Sequence, residues 1–306
     1  MSLPPRWQWK LDRWREQVAA FFHGQPQEQR PRLCPNCKTL VGSTATKCHE
    51  CGTSMTFSLA AASRGLAGLI PSENPVTYVI LMVNAALFLV SLMATIRLQG
   101  GFSLLGGIDM ETLYRLGARE SRAIFYGQVW RLVVPIFLHG SVMHIGMNTW
   151  VLMDLGPQLE EVYGSARFFF LYISTGIFSF IVSTAWNIYW YQGFGIAIGA
   201  SGALMGLIGL MFAITTRRGG IVMQMLRKQL IQWLIFIGVV GFALRGTDNA
   251  AHLGGLAAGY ALGKIFVDRQ PVDADERKRA YTLGWLAAVV VLGSFGAMLA
   301  QYFRGT

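Results

Sequence analysis

From Pro75 onward the chain is dominated by long apolar runs broken by short polar connections. A helix rising about 1.5 Å per residue needs about 20 residues to cross the hydrocarbon of a bilayer. On that measure seven spans are expected: Pro75–Ile96, Val142–Val162, Phe168–Ile188, Ser201–Thr216, Leu230–Leu244, Ala250–Val267 and Tyr281–Phe303. The fourth and fifth are short, and the fourth is rich in glycine and other small residues. A helix facing lipid needs more length, so both are expected to be shielded inside the bundle. The fold class is therefore an all-α polytopic membrane protein.

Before the spans the pattern changes. Trp7, Leu11, Trp14, Val18 and Phe21 fall on one helical face, with Arg6, Lys10, Arg13, Arg15 and Glu16 mostly off it, so residues 1–30 are expected to hold an amphipathic helix. That helix suits the membrane interface, and equally suits packing on a neighbouring module or partner. Residues 31–54 hold all four cysteines, and the small Ser/Gly/Ala-rich residues of 55–73 read as a linker. Met1 to Gln17 is polar and basic and lacks the apolar core of a secretory signal, so the first span is expected to insert as the anchor.

Composition agrees with the pattern. Of 306 residues 53% are hydrophobic and 14% charged, against about 25% charged in soluble domains. The net charge of +10 brings no basic stripe with interleaved aromatics, so nucleic acid is not an expected partner. The lipid bilayer is. Basic residues gather in the N-terminal segment, in the fourth-to-fifth connection (Arg217, Arg218, Arg227, Lys228) and in the sixth-to-seventh (Arg269, Arg277, Lys278, Arg279). The connection 189–200 carries no charge. This places the N-terminus in the cytoplasm and the C-terminus outside, in a bacterial inner or plasma membrane. Arg97, Arg115, Arg119, Arg122 and Arg131 in the connection 97–141 oppose that orientation. The same connection carries Phe102, Leu104, Leu105, Leu113, Tyr114, Leu116 and Phe125, which suit short helices half-sunk in the outer leaflet.

Polar side chains inside the spans are costly and mark functional sites by default. Ser201 opens the fourth span within Gly199-Ala200-Ser201-Gly202. It suits a nucleophile, but serine is also a favoured N-cap, and the motif by itself favours the cap. His252 sits among Ala251, Gly255 and Gly259, a small-residue series that lets membrane helices touch. Gly202 and Gly206 match it on the fourth span, so the two helices crossing at their glycines would bring Ser201 and His252 together as a catalytic pair. His144 and Asn148 share a helix face and can donate to an oxyanion with the Ser201 N–H. They equally suit an interhelical polar bond, worth roughly 1 kcal/mol. His139 is given a supporting hydrogen bond and Asp248 a helix start.

The cysteines form two Cys-x2-Cys knuckles, Cys34/Cys37 and Cys48/Cys51. Four thiolates in this arrangement suit one structural zinc in a small ribbon, with two disulfides as the alternative, which a reducing cytoplasm disfavours. The module has little apolar core, so the metal would supply its folding energy. It is open to an unknown protein partner, and catalysis needs no cofactor.

These motifs, in this order, resemble the rhomboid family of intramembrane serine proteases. Trp130-Arg131, His139-x4-His144-x3-Asn148, Gly156-x3-Glu160-x3-Gly164, the Ser201 motif and Ala251-His252-x2-Gly255 carry the resemblance, over about residues 75–268. It implies a six-helix core at 74–268 with a cavity open to the outside. It also implies a Ser–His dyad without a carboxylate, and cleavage of transmembrane segments of membrane-protein substrates. The region 269–306 adds a connection and a seventh span. Met205 stands where many members have an aromatic residue one turn after the serine. The competing expectation is a catalytically inactive rhomboid-like protein that binds membrane clients; such proteins typically lose the serine or histidine, and both are present here.

Overall fold

The computed structural model describes residues 32–34, 39–42, 45–50, 73–99, 107–191, 195–243 and 247–304. The chain divides into two compact units, Met1–Leu69 and Ile70–Thr306. In the first, strands β1 (Arg32–Leu33) and β2 (Leu40–Val41) pair antiparallel, with Arg32 opposite Val41. The Cys34 N–H closes the turn onto the Thr39 carbonyl at 2.8 Å. Cys34, Val41 and Cys48 form a small buried cluster, so one cysteine of each knuckle reaches a common core. The expected N-terminal helix, Cys37, Cys51 and nearly all of the 55–73 linker lie outside the described residues.

The second unit is helical. Its long helices are α1 (Pro75–Gln99), α4 (Val142–Tyr163), α5 (Ser165–Trp186), α6 (Ser201–Arg217), α7 (Ile221–Ala243), α8 (Asn249–Ile265) and α9 (Ala274–Phe303). Between α1 and α4 lie the short helices α2 (Met110–Arg115) and α3 (Ser121–Phe125), and strand β3 (Arg119–Glu120) pairs antiparallel with β4 (Ile196–Ala197). By length and composition Pro75–Leu98, Ser165–Trp190 and Ala274–Phe303 suffice to cross a membrane, and Ser201–Arg217 is a shorter apolar helix.

Small residues set the packing. A β-carbon at Gly255 or Gly259 would collide with the Gly202 or Gly206 carbonyl, so α8 lies backbone-to-backbone on α6. On its other side α6 meets α5, where Gly202 and Gly206 leave room for Ser179 and Thr175. Sandwiched in this way, α6 is buried from Gly202 to Met211, as its small residues led one to expect.

The fifth span departs from expectation. Helix α7 is 23 residues long and begins at Ile221. Arg227 and Lys228, expected in a connection, lie within it. Long basic side chains can run along a helix to reach polar groups, and Arg227 Nη2 donates to the Thr215 carbonyl. Nor is α7 shielded: Ile221, Val222, Met225, Ile231, Ile235, Phe236 and Val239 are exposed. Helix α9 also starts early, because Asp273 caps it by accepting from the Glu276 N–H at 2.7 Å. Its charged first turns masked it in the hydropathy pattern.

Glu160 ties three helices at one end of the bundle. Its carboxylate accepts from Val76 N at 3.0 Å, Thr77 N at 2.8 Å, Thr77 Oγ1 at 2.8 Å and Ser165 Oγ at 2.7 Å. A carboxylate at the start of α1 satisfies first-turn N–H groups that no helix pairs internally.

Candidate active site

At the opposite end the chain enters α6 through Gly199, whose φ is +118°. A β-carbon there would sit 2.6 Å from His144 Nε2 and 3.8 Å from Asn148 Nδ2. Only glycine meets both the backbone and the space requirement. The N-cap of α6 is Ala200, with no side-chain cap bond. The cap reading of Ser201 therefore fails: Ser201 is the first helical residue, and its Oγ lies 2.9 Å from His252 Nε2.

His252 is held from two directions. Asp248 is the N-cap of α8 and accepts from the Ala251 N–H at 2.9 Å, matching the helix-start role expected of it. One turn on, the glycines of α8 press this helix onto α6. The contact between hydroxyl and imidazole is thus a product of the glycine spacing on both helices.

Ser141 caps α4 by accepting from the His144 N–H at 3.2 Å. His144 Nδ1 faces the Gly140 N–H at 3.4 Å. That contact assigns Nδ1 as acceptor and leaves the ring hydrogen on Nε2, which points at Gly199. Asn148 is buried, and its Nδ2 donates one hydrogen to the His144 carbonyl at 3.0 Å, leaving a second. The Ser201 N–H is a first-turn donor without an intrahelical partner. His144 Nε2 and Asn148 Nδ2 both lie beside Gly199, two residues before Ser201. Among the described residues neither ring nitrogen of His139 makes the expected supporting hydrogen bond within ordinary bonding geometry, and the ring packs edge-on against His144 at 5.1 Å.

Ser201, His252, His144 and Asn148 line one cavity of about 450 Å³. Its remaining walls are mostly apolar and include Met143, Met147, Val151, Phe180 and Met205. Trp130 and Arg131 lie outside its lining and brace the loop above it. Arg131 donates to the Tyr114 and Ala118 carbonyls at 2.9 and 2.8 Å and to Gln128 Oε1 at 2.6 Å. Short helices α2 and α3 form in the connection expected to carry them. Leu113 and Leu116 are buried, while Phe125 and Tyr126 stand exposed at 77% and 81%.

One residue escaped the sequence reading. Arg119, counted there only as a loop charge, is buried and bonded to Asp248 across 129 residues. No local pattern marks such a pair. Among the described residues no group of three or more His, Cys, Asp or Glu side chains gathers, and two of the four cysteines lie outside them.

The Rhomboid domain profile matches residues 126–269. The chain is 34% identical over 155 residues to Rhomboid protease GluP of Bacillus subtilis, covering 51% of this chain and 29% of that one. It is 37% identical over 171 residues to RHOMBOID-like protein 5 of Arabidopsis thaliana, covering 55% of this chain and 53% of that protein. Putative rhomboid protease YdcA of Bacillus subtilis is 31% identical over 162 residues, covering 53% of this chain and 76% of YdcA. The match thus spans under a third to about half the length of the first two of these relatives.

Proposed function

The chain belongs to the rhomboid family, and from that premise we propose that it is an intramembrane serine endopeptidase that cuts transmembrane segments of membrane proteins. The observation that carries this reading is the 2.9 Å contact between Ser201 Oγ and His252 Nε2, opening into a cavity lined also by His144 and Asn148. The presence of both groups in bonding geometry weighs against an inactive client-binding protein.

In the proposed mechanism Ser201 Oγ–H donates to His252 Nε2 and its oxygen attacks the scissile carbonyl carbon. His252 takes the proton as the tetrahedral oxyanion forms. His144 Nε2–H, Asn148 Nδ2–H and the Ser201 N–H stabilise that charge inside a mostly apolar cavity, where such donors count for more than in water. His252 then returns the proton to the leaving amine. Water, deprotonated by the same imidazole, hydrolyses the acyl-enzyme. Among the described residues no carboxylate bonds the ring, and Asp248 is engaged by the Ala251 N–H, Ser183 and Arg119. An intact substrate helix hides its carbonyls, so residues that weaken helices near the cut favour cleavage. Met205 fills the place of an aromatic ring softly.

The architecture in this reading is a six-helix core at 74–268 plus a seventh span in 269–306. The N-terminus is cytoplasmic and the C-terminus outside, in a bacterial inner or plasma membrane. The cavity then opens to the outside, and the ion pairs of Asp268 with Arg217 and Arg218, at 2.9 and 2.5 Å, lie on the basic, cytoplasmic side. In the N-terminal unit one zinc is proposed on Cys34, Cys37, Cys48 and Cys51. The shared burial of Cys34 and Cys48, one from each knuckle, fits that ligand set. Such a closed thiolate site supplies folding energy and no chemistry, and its surface is open to a protein partner.

The test is cleavage of a single-span reporter in proteoliposomes. The wild-type chain cuts it and Ser201→Ala, equally folded, does not. Undiminished cleavage by Ser201→Ala would refute the assignment.

A further inference from the structure

We propose that Arg119 is a positioning residue for the Ser201–His252 pair, joining the strand that leads into Ser201 to the helix start that carries His252. The inference rests on the protease reading and extends it to a residue that touches neither substrate nor reacting atoms.

Arg119 is 4% exposed, and its guanidinium divides its bonds between two directions. On one side Nη1 donates to Ser121 Oγ at 2.8 Å and to the Gly195 carbonyl at 3.3 Å, immediately before β4. On the other side Nη2 donates to Ser183 Oγ on α5 at 2.8 Å and to Asp248 Oδ2 at 3.1 Å. Ser183 Oγ also donates to Asp248 Oδ2. The strand β3 that carries Arg119 is itself paired with β4, Arg119 opposite Ala197. From Ala197 the chain reaches Ser201 in four residues, and from Asp248 it reaches His252 in four. Arg119 therefore spans the two segments whose relative placement sets the distance between hydroxyl and imidazole.

Neither capping nor stability accounts for this arrangement. Asp248 caps α8 through Oδ1, a task that asparagine performs as well and that needs no arginine. A buried ion pair is weak evidence for stability, because desolvation offsets most of its attraction. What the pair adds is geometry. A planar fork with donors on both arms fixes two directions at once, which a lysine ammonium on a flexible stem does not. The glycine contacts of α6 and α8 fix the helix axes, and the Arg119 fork fixes the ends from which the two side chains project.

The experiment compares full-length wild type with Arg119→Lys, Arg119→Gln, Asp248→Asn and the double variant Arg119→Gln/Asp248→Asn. It measures thermal unfolding, the rate of fluorophosphonate labelling at Ser201, and kcat on the reporter, with Ser201→Ala as blank. Both single variants that break the pair are expected to keep a folded state and to lose about tenfold in labelling rate and in kcat. The double variant is expected to lose no more than the worse single one, and Arg119→Lys to recover only part. Wild-type labelling rates in folded Arg119→Gln and Asp248→Asn, additive losses in the double variant, or full rescue by lysine would overturn the proposal. If Arg119→Gln does not fold, Asp248→Asn, which keeps the cap, decides alone. Loss of the fold in both would assign the pair to stability and overturn it as well. Failure of the wild type itself to label at Ser201 would instead sink the protease reading.

Discussion

Helices α8 and α7 flank the same cavity and are held in opposite ways. Helix α8 meets α6 through Gly255, Gly259 and Gly263, with backbone carbonyls and a β-carbon filling the space a side chain would need. Helix α7 carries long side chains, and only Leu230 and Gly241 are buried among its described ones. It reaches α4 through an edge-to-face contact of Trp150 with Trp233, ring centroids 4.9 Å apart, and reaches α8 through Asn249 Nδ2 on the Gly241 carbonyl at 3.2 Å. Backbone-to-backbone packing leaves little room to shift, whereas a wall with few buried side chains among those described belongs to the low-stability end of a structure. On the protease reading, the cavity has one wall that holds the proposed reacting groups in place and one wall suited to admitting a long substrate.

The sharpest way to break this contrast is to spoil the rigid wall. Gly259→Leu forces a side chain into the Gly206 carbonyl and is expected to cost about 3 kcal/mol or more, eliminating labelling at Ser201. In the other wall Gly238 has open space around it. There Gly238→Ala is expected to leave activity intact and to stabilise the helix by about 0.5–1 kcal/mol. Equal losses in the two variants, read from unfolding curves, would erase the distinction.

The next effect tests the looser wall. An aromatic edge-to-face pair contributes about 0.5–1.5 kcal/mol. Trp150→Ala/Trp233→Ala is expected to raise the rate of reporter cleavage about fivefold if that contact limits substrate access, while fluorophosphonate labelling stays at the wild-type rate. Labelling and cleavage falling together would show that the contact supports the site instead of guarding it.

Two smaller effects belong to the far end of the bundle. Glu160→Ala leaves the Val76 and Thr77 N–H groups without their carboxylate and is expected to cost about 1–3 kcal/mol, with labelling retained in the folded fraction. Burial opposes ionisation of Asp268, but the Arg217 and Arg218 guanidiniums outweigh it and hold its pKa below the ordinary carboxylate value. A depressed folded-state pKa gives stability that is present above the unfolded value and lost as pH falls through the folded one. Wild type is therefore expected to lose stability on acidification more than Asp268→Asn, measured as the difference between their unfolding temperatures across that range.

What the sequence disclosed follows from the range of each signal. The small-residue spacing of Gly202, Gly206, Gly255 and Gly259 is a property of two helix faces, and the structure joins them at those residues. His144 and Asn148 are one turn apart, so their shared face was readable, and Gly199 lies against both. The motif alone misjudged Ser201 as a cap, because hydroxyl chemistry at a helix start looks alike until a partner from another helix arrives. Arg119–Asp248 was invisible for the same reason, since its two ends meet only through the β3–β4 pairing and the start of α8. The beginnings of α7 and α9 were missed because charged turns continue a helix without raising its hydropathy.

The central claim is that the hydroxyl of Ser201 is activated by its imidazole neighbour. Treating the membrane-embedded protein with a fluorophosphonate and mapping the adduct by peptide mass measures that directly. The account predicts one phosphonylated residue, Ser201, with labelling abolished by Ser201→Ala and strongly slowed by His252→Ala. An adduct on another residue, or labelling indifferent to loss of His252, would contradict it.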